Sequence, residues 1–329
     1  MRTKITLTAL CAIMCALVSL VKSAQAAERA AKLAPVRIAY VSRSILDMPF
    51  IIARDRGYFH EEGLEPELIF INAIQSVQAA VAGSVDFGTA TGSAISAAVS
   101  GADVRVVFGL TDKPSFDLLA LPALNSVQQL RGKKLGITAV GSLTEILARQ
   151  ILVANKIPAD QVTFLPLGTS NVLYLALKAG SIDATMLQIP QNFLAIDDGF
   201  HKLAAGADVY RALQGGLTAT RATIAERPEL VTKVIRATQK ALRLIRTDRK
   251  FAIDFIKGPY LDMGKERDRF AERVYEAALS YYLISGVIDE KLQREMIATA
   301  AQRLKVAQPP APERVFDFSI AQKVADSLK

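Results

Sequence analysis

Gly83-Ser84-Val85-Asp86-Phe87 recurs 97 residues later along the chain as Gly180-Ser181-Ile182-Asp183-Ala184. Two further segments repeat at the same offset, namely 36–41 as 133–138 and 68–70 as 165–167. Three matches at one offset indicate two copies of one supersecondary unit, each with its own sheet. Two copies are too few for a solenoid, which needs three or more stacked repeats. Two similar lobes leave a cleft between them, where small molecules commonly bind.

Strands and helices alternate in both copies of this unit. The apolar stretch 36–41 predicts a buried strand, and Pro49 is well placed to begin the following helix. In the second copy, 134–138 predicts the equivalent strand, and Ser142 with Glu145 has the spacing of a capping box at the start of a helix. This alternation predicts an α/β fold with two doubly wound lobes, each built on a largely parallel sheet.

The chain divides into four predicted segments. Residues 1–26 are a signal peptide, 27–117 the first part of lobe 1, 118–216 lobe 2, and 217–329 a return crossover followed by a helical tail. One face of that tail is too apolar to stand alone, so we expect it to pack on lobe 1. Lobe 1 is then discontinuous, and the two crossovers form a two-segment hinge about which the lobes can close around a ligand.

The first 26 residues have the pattern of a secretory signal peptide. Arg2 and Lys4 precede a mostly apolar stretch, and Ala24-Gln25-Ala26 is a small-residue cleavage site. A membrane anchor is the alternative, but the apolar stretch is short for a membrane span. Because Cys11 and Cys15, the two cysteines, both lie in this segment, the mature chain is expected to have no disulfide, thiolate metal ligand or cysteine nucleophile.

The charge pattern bounds the partners of the protein. The formal net charge is +8, and it is +5 once Arg2, Lys4 and Lys22 leave with the signal peptide, which contains no acid. The basic residues are scattered among acids and Trp is absent, whereas nucleic-acid binding usually requires a clustered basic patch with stacking aromatics. His60 and His201 lack a partner at metal-ligand spacing, and no phosphate-binding glycine motif occurs. We therefore expect no nucleic-acid partner, no cofactor and no metal.

Polar residues that follow the predicted strands are the candidates for ligand binding. In doubly wound sheets, ligands lie beyond the carboxyl ends of the strands, where helix N-termini favour anions and polar oxygens. The predicted ligand-binding residues are Ser42, Arg43, Ser44, Thr89, Thr91, Ser93, Thr111, Ser142, Thr144, Thr169, Ser170, Asn171 and Gln188. Each hydroxyl could instead be a helix N-cap. That alternative is strong for Ser142, although a capping side chain can still face the cleft.

The charged residues near these strands differ in what they predict. Arg43 could bind a carboxylate, sulfonate or phosphate through two parallel hydrogen bonds, or it could be a solvated loop residue. Asp86 and Asp183 occupy equivalent places in the two copies. We therefore interpret them as acceptors for turn amides rather than as ligand contacts.

Several segments resemble one group of bacterial solute-binding proteins. The segments that carry the resemblance are Pro49-Phe50-Ile51-Ile52-Ala53-Arg54-Asp55-Arg56-Gly57-Tyr58-Phe59, Glu62-Gly63-Leu64-Glu65, Leu130-Arg131-Gly132-Lys133-Lys134-Leu135-Gly136, Gly141-Ser142, Gly180-Ser181-Ile182-Asp183-Ala184 and Pro190. The group includes the sulfonate, nitrate, taurine and thiamine-pyrimidine-precursor binding proteins of ABC importers, and the similarity spans roughly 36–230. It implies a type II periplasmic binding protein fold, a ligand held between the lobes, and delivery of that ligand to membrane permease subunits.

The leading hypothesis is a monomeric, non-catalytic periplasmic protein that captures a small polar or anionic ligand for an ABC importer. The ligand class stays open among sulfonates, carboxylates and nitrate, and a pyrimidine would usually need more aromatic stacking than these loops offer. One alternative is an enzyme or binding protein of thiamine pyrimidine metabolism; the enzymes of that group use a cysteine-rich motif, which the mature chain lacks. Another alternative is a sensor that presents its closed form to a membrane receptor, which the sequence does not separate from transport.

Overall fold

The computed structural model describes residues 33–261 and 267–327, and the predicted signal peptide lies outside these residues. The strands are β1 (Ala34–Tyr40), β2 (Leu64–Phe70), β3 (Phe87–Gly88), β4 (Val104–Thr111), β5 (Phe116–Ala120), β6 (Lys134–Ile137), β7 (Thr163–Pro166), β8 (Ala184–Gln188), β9 (His201–Ala205) and β10 (Gln214–Thr220). The helices are α1 (Met48–Asp55), α2 (Tyr58–Glu61), α3 (Ala73–Val81), α4 (Thr91–Val99), α5 (Leu143–Ala154), α6 (Ser170–Lys178), α7 (Gln191–Asp197), α8 (Arg221–Glu226), α9 (Pro228–Thr247), α10 (Arg249–Ile256), α11 (Arg267–Tyr281), α12 (Glu290–Leu304) and α13 (Ser319–Ser327).

The described strands form two five-stranded sheets with the same internal arrangement. Lobe 1 is built on the sheet β2-β1-β3-β10-β4, and lobe 2 on the sheet β7-β6-β8-β5-β9. In each sheet the first three strands are parallel and the fourth is antiparallel to both neighbours. In lobe 2 the antiparallel strand is β5, the first strand after the chain enters that lobe. In lobe 1 it is β10, the first strand after the chain returns. The predicted α/β class with two doubly wound lobes is confirmed.

The sequence repeat corresponds to a structural repeat. Asp86 accepts a hydrogen bond from the backbone N–H of Arg37 at 2.8 Å, and Asp183 accepts one from the backbone N–H of Lys134 at the same distance. Both pairs are related by the offset of 97 residues. The interpretation of these carboxylates as amide acceptors is confirmed, but the amide belongs to the first strand of each lobe rather than to a turn.

The second strand of each lobe departs from that offset. Ile38 of β1 lies beside Leu68 of β2, whereas the equivalent Leu135 of β6 lies beside Phe164 of β7. Leu68 and Phe164 are 96 residues apart, so the predicted match of 68–70 with 165–167 is wrong by one residue. Counted between equivalent residues, the chain from Leu135 to Phe164 is one residue shorter than the chain from Ile38 to Leu68. The chain from Phe164 to Asp183 is one residue longer than the chain from Leu68 to Asp86. The offset is therefore restored at β8.

Two crossovers connect the lobes and are bonded to each other. The chain leaves the first sheet after Thr111 through the outward crossover (112–115). It returns at Gln214 through the return crossover (206–213), which lies before the predicted position at 217. The side chain of Gln214 accepts hydrogen bonds from the backbone N–H and the hydroxyl of Ser115, at 2.9 and 3.2 Å. Arg211 of the return crossover pairs with Asp112 of the outward crossover at 2.6 Å. These contacts hold the two connections side by side, which is the arrangement a two-segment hinge requires.

Tail helices complete the core of lobe 1. Pro228 begins α9, where its missing N–H costs no hydrogen bond, and Val234 of α9 is buried in one cluster with Ile38 of β1 and Phe50 of α1. On a second cluster, α12 packs against α4, with Ile297 buried in the same group as neighbouring side chains of α4. The residues after 217 that these clusters include therefore pack against strands and helices of lobe 1.

Lobe 2 has a core on each face of its sheet. Adjacent residues of a strand point to opposite faces, and Met186 of β8 is buried with Leu147 of α5 while Leu187 is buried with Leu173 of α6. Helices therefore cover both faces, as the strand–helix alternation predicts. Within the two described ranges, no helix is both long and apolar enough to cross a membrane.

Candidate ligand-binding site

A cavity of about 610 Å³ lies between the two lobes. Lobe 1 contributes the first turns of α3 and α4, and lobe 2 contributes residues 139–142 and the start of α5. The return crossover contributes Tyr210, Ala212 and Leu213, and α12 closes one side. Because parallel strands end on the same edge of a sheet, the loops after β3 and β6 bring both lobes to this cavity.

The walls of the cavity are mainly apolar. Ile74 of α3 and Val140 of the loop after β6 are 68% and 77% exposed, and they belong to opposite lobes. The other large apolar side chains on the wall are Ile95, Leu143, Ile146, Leu213 and Met296. The polar side chains on the wall are Ser93, Ser96, Ser142, Tyr210, Thr299 and Arg303. This composition, apolar with a few polar groups, is typical of small-molecule sites.

Two of the predicted ligand-binding residues, Ser93 and Ser142, line this cavity. Ser142 caps α5, since its hydroxyl accepts the backbone N–H of Glu145 at 3.5 Å. The carboxylate of Glu145 accepts from the backbone N–H of Gly141 at 2.6 Å rather than from that of Ser142. The predicted capping box is therefore shifted by one residue on its return bond. Ser142 both caps the helix and lines the cavity.

The predicted residues after β1 are bonded within lobe 1. The hydroxyl of Ser42 donates to Asp47 at 2.7 Å and lies 2.9 Å from the hydroxyl of Ser44. Asp47 is 1% exposed, and this burial raises the pKa of its carboxyl group although hydrogen bonds from Ser42 oppose the rise. Thr89 is buried nearby. Tyr260 of the tail donates to the carbonyl groups of Ser42 and Ser44 at 3.2 and 3.3 Å, so the tail covers this loop.

Arg43, Thr91 and Thr111 also lie away from the cavity wall. The guanidinium of Arg43 is exposed and lies 5.6 Å from the centre of the Phe70 ring, where it makes a cation–π contact. Thr91 is 2% exposed at the start of α4. The hydroxyl of Thr111 donates to the carbonyl of Lys113 at 2.8 Å and stabilises the turn of the outward crossover.

The remaining predicted residues of lobe 2 have local partners or stand apart from the cavity. Thr144 accepts the backbone N–H of Thr138 at 2.9 Å, and Thr169 caps α6. Asn171 accepts a hydrogen bond from the side chain of Gln191 at 2.9 Å. Two further predicted residues follow: Ser170 is buried and Gln188 is half-buried at the end of β8.

Sequence reasoning missed the contribution of α12. Arg303 of this helix donates to the carbonyl oxygen of Gly141 in lobe 2 at 3.1 Å and to the hydroxyl of Ser96 in lobe 1 at 2.5 Å. Met296, Thr299, Ala300 and Arg303 follow the i, i+3, i+4, i+7 spacing of one helix face. That spacing is visible in the sequence, but nothing in it shows that this face lies on the cavity.

A second contact joins the lobes through α7 and α11. Asp197 of α7 pairs with Arg273 at 2.7 Å and with Arg269 at 2.6 Å, and the hydrogen bond from Arg273 lowers the pKa of the Asp197 carboxyl group. The rings of Phe193 and Phe270 are stacked with centroids 6.4 Å apart. Lobe 2 therefore rests on the tail helices of lobe 1 here. Across the two described ranges, no three His, Cys, Asp or Glu side chains are grouped to hold a metal ion.

Comparison with known proteins places this architecture in a family. Residues 47–250, more than half of the chain, match the model of the family described as NMT1/THI5 like. The chain belongs to this family. A curated relative from Brucella abortus, whose name describes it provisionally as a binding protein, is 27% identical over 215 residues. That match covers 63% of this chain and 66% of the relative, just under two thirds of its length.

Solved structures show the same fold. The alkanesulfonate-binding protein SsuA from Xanthomonas axonopodis pv. citri, bound to MOPS, is similar with a TM-score of 0.66 and 22% identity, covering 87% of this chain and 100% of that chain. The ligand-binding component of an ABC-type import system from Staphylococcus aureus, with zinc bound, is similar with a TM-score of 0.70 and 14% identity, covering 88% of this chain and 99% of that chain. These structures confirm the predicted periplasmic binding protein fold. The family match confirms the resemblance found in the sequence.

Proposed function

We propose that this protein is the solute-binding component of an ABC importer, which holds a small organic ligand between its lobes and delivers it to a membrane permease. One observation carries the proposal. The cavity of about 610 Å³ takes its walls from both lobes, from the return crossover and from α12, so a ligand there contacts every part whose relative position changes when the lobes close. The volume lies within the range of about 300–1,000 Å³ that small-molecule sites occupy.

A binding role without catalysis is the second part of the proposal. General acid–base and nucleophilic catalysis need a nucleophile or proton-transferring group beside the substrate. The described residues that line the cavity include serine hydroxyls, but among them there is no His, Asp, Glu or Lys to activate such a hydroxyl, and no Cys. The Brucella relative and the two solved structures are likewise named for binding or for import. Export by the predicted signal peptide, a periplasmic location and a monomeric state complete the proposal.

The test is thermal unfolding of the mature chain, from Ala27 onward, against a panel of sulfonates, carboxylates, nitrate and pyrimidines. A ligand at about 100 times its Kd should stabilise the protein by about 2.7 kcal/mol. Small-angle scattering with the compound that stabilises should show a smaller radius of gyration, because the lobes close on it. No stabilisation by any compound, or stabilisation without compaction, would count against capture between the lobes.

A pair of variants locates the binding site. Thr299 lines the cavity, and its hydroxyl donates to the carbonyl of Glu295 one turn earlier at 2.9 Å. Thr232 of α9 makes the same kind of bond to the carbonyl of Pro228 at 2.8 Å but lies away from the cavity. Thr299→Phe should abolish ligand stabilisation by filling the cavity, whereas Thr232→Phe should retain it. Equal binding by both variants would place the ligand elsewhere.

A further inference from the structure

The cavity combines apolar walls with a single cation. Arg303 is the one charged side chain among the described residues on the wall, and it forms no ion pair with a carboxylate in the described part of the chain. A guanidinium has five N–H donors. Two of them are used, on Gly141 and Ser96, so three remain available. A cation held in place by two hydrogen bonds and lacking a counter-ion is suited to bind an anion.

The apolar walls indicate that the ligand has an apolar part in addition to its anionic group. Ile74 and Val140 expose most of their side chains on opposite sides of the cavity. Exposed apolar groups that form one surface commonly mark a binding site. An inorganic anion or a very short organic acid would leave these side chains in water. A ligand with an apolar body would cover them, and each buried methylene strengthens binding.

We propose that Arg303 binds the anionic end of the ligand, and that the ligand carries an apolar body that lies against Ile74 and Val140. This inference rests on the proposed function and narrows it to amphiphilic organic anions. It assigns the anion to α12, which lies outside the residues matched by the family model, rather than to Arg43. Because Arg303 already contacts both lobes, an anion bound to it lies at their junction, and ligand charge is coupled to closure.

The test is calorimetric titration of the mature protein with butanoate, hexanoate and octanoate, with acetate as the short anion and octan-1-ol as the uncharged chain. Affinity should rise about threefold to fourfold per methylene from butanoate to octanoate. Octanoate should bind at least about tenfold more tightly than octan-1-ol, because hydrogen bonds to a charged group add that much. Affinity that does not change with chain length would overturn the apolar part of the proposal.

Three arginine variants separate the candidate cations. Arg303→Gln should weaken octanoate binding about tenfold or more and leave octan-1-ol binding unchanged. Arg294→Gln, on the same helix and paired with Glu290, should bind octanoate as the wild type does, and so should Arg43→Gln. Arg303→Lys keeps the charge and should recover part of the affinity. Loss of octanoate binding in Arg43→Gln instead, or equal loss of octanoate and octan-1-ol in Arg303→Gln, would overturn the assignment.

The outcomes also separate this inference from the proposed function. If nitrate, taurine-sized sulfonates or pyrimidines stabilise and compact the protein while no alkyl anion binds, the ligand class proposed here is wrong and the binding role stands. If no compound of either set binds, both proposals fail. The unfolding midpoint of Arg303→Gln should stay close to that of the wild type because the side chain is exposed, which keeps a loss of binding interpretable.

Discussion

Replacing Asp86 or Asp183 by alanine should destabilise the lobe that contains it and leave ligand affinity unchanged. Each carboxylate accepts the backbone N–H of the first strand of its lobe, from Arg37 and Lys134 respectively, at 2.8 Å. Both aspartates lie at the amino ends of strands, β3 and β8, whereas the cavity begins beyond the carboxyl ends. The two variants therefore separate a structural role from ligand contact.

The expected loss in free energy of unfolding differs between the two variants. A hydrogen bond to a charged group contributes about 1.5–3 kcal/mol. Because both aspartates are only half-buried and water can replace part of the bond, Asp183→Ala should cost about 1.5 kcal/mol, at the lower end of that range. Asp86 also pairs with Arg227, whose side chain is 47% exposed, and such a pair adds about 0–1 kcal/mol. We therefore expect Asp86→Ala to cost about 2 kcal/mol.

Urea unfolding of the mature chain, followed by circular dichroism, measures these losses. Asp254→Ala is the control, since it removes an exposed carboxylate of α10 whose ion pair among the described residues is with Lys250 of the same helix. Its midpoint should match the wild type. If the lobes unfold in separate steps, Asp86→Ala and Asp183→Ala should shift different transitions. Wild-type midpoints for both variants would refute the reasoning, as would weaker ligand binding at unchanged stability.

Two further perturbations probe lobe 1. Gly286 has φ +72° and an added Cβ would overlap the ring of Phe108, so Gly286→Ala should destabilise the protein by about 3 kcal/mol in the same urea assay. The pKa of Asp289, at the N-terminus of α12, is lowered mainly by the hydrogen bond from the backbone N–H of Leu292 and next by the one from Arg211. The stability that Asp289 contributes is therefore present above the unfolded-state pKa and is lost as pH falls through the folded-state pKa. Asp289→Asn should lower the urea midpoint at pH 7 and show a smaller further loss than the wild type on acidification to about pH 3.

The two-lobed architecture could be predicted from the sequence because each copy of the repeat corresponds to one lobe. Asp86 and Asp183 are equivalent in sequence, and each accepts a hydrogen bond from a backbone N–H of the first strand of its lobe. The offset of 97 residues therefore relates equivalent positions of the two lobes. The position of β7 could not be predicted in the same way, since Phe164 replaces the expected residue 165 beside Leu135. A one-residue shortening before β7 is cancelled by a one-residue lengthening after it. Matching segments at a fixed offset does not detect a shift that is compensated in the loops.

The site was harder to predict than the fold because most candidate hydroxyls already serve the backbone. Thr169 caps α6, Thr144 accepts from a loop amide, and Ser42 donates to the buried Asp47. The reasoning about strand ends led to the edge of each sheet at which the cavity lies, since Ser93 and Ser142 line it. It could not separate those two from the rest, because the sequence does not show which hydroxyl faces outward.

Hydroxyls at helix starts and hydroxyls inside helices differ in their bonding partners for a physical reason, which also explains why α12 contributes polar groups to the cavity wall. Each helix that begins at a strand end leaves up to four N–H groups without intrahelical partners, and the nearest hydroxyls satisfy them. Side chains inside a helix are not needed to satisfy these N–H groups. The hydroxyls of Ser96 and Thr299 each donate to a carbonyl one turn earlier and can still accept a hydrogen bond. Ser96 does so from Arg303. Under the binding site proposed above, a ligand bound by groups in helix interiors would leave the caps intact when it departs, so the lobes would open without loss of their helix starts.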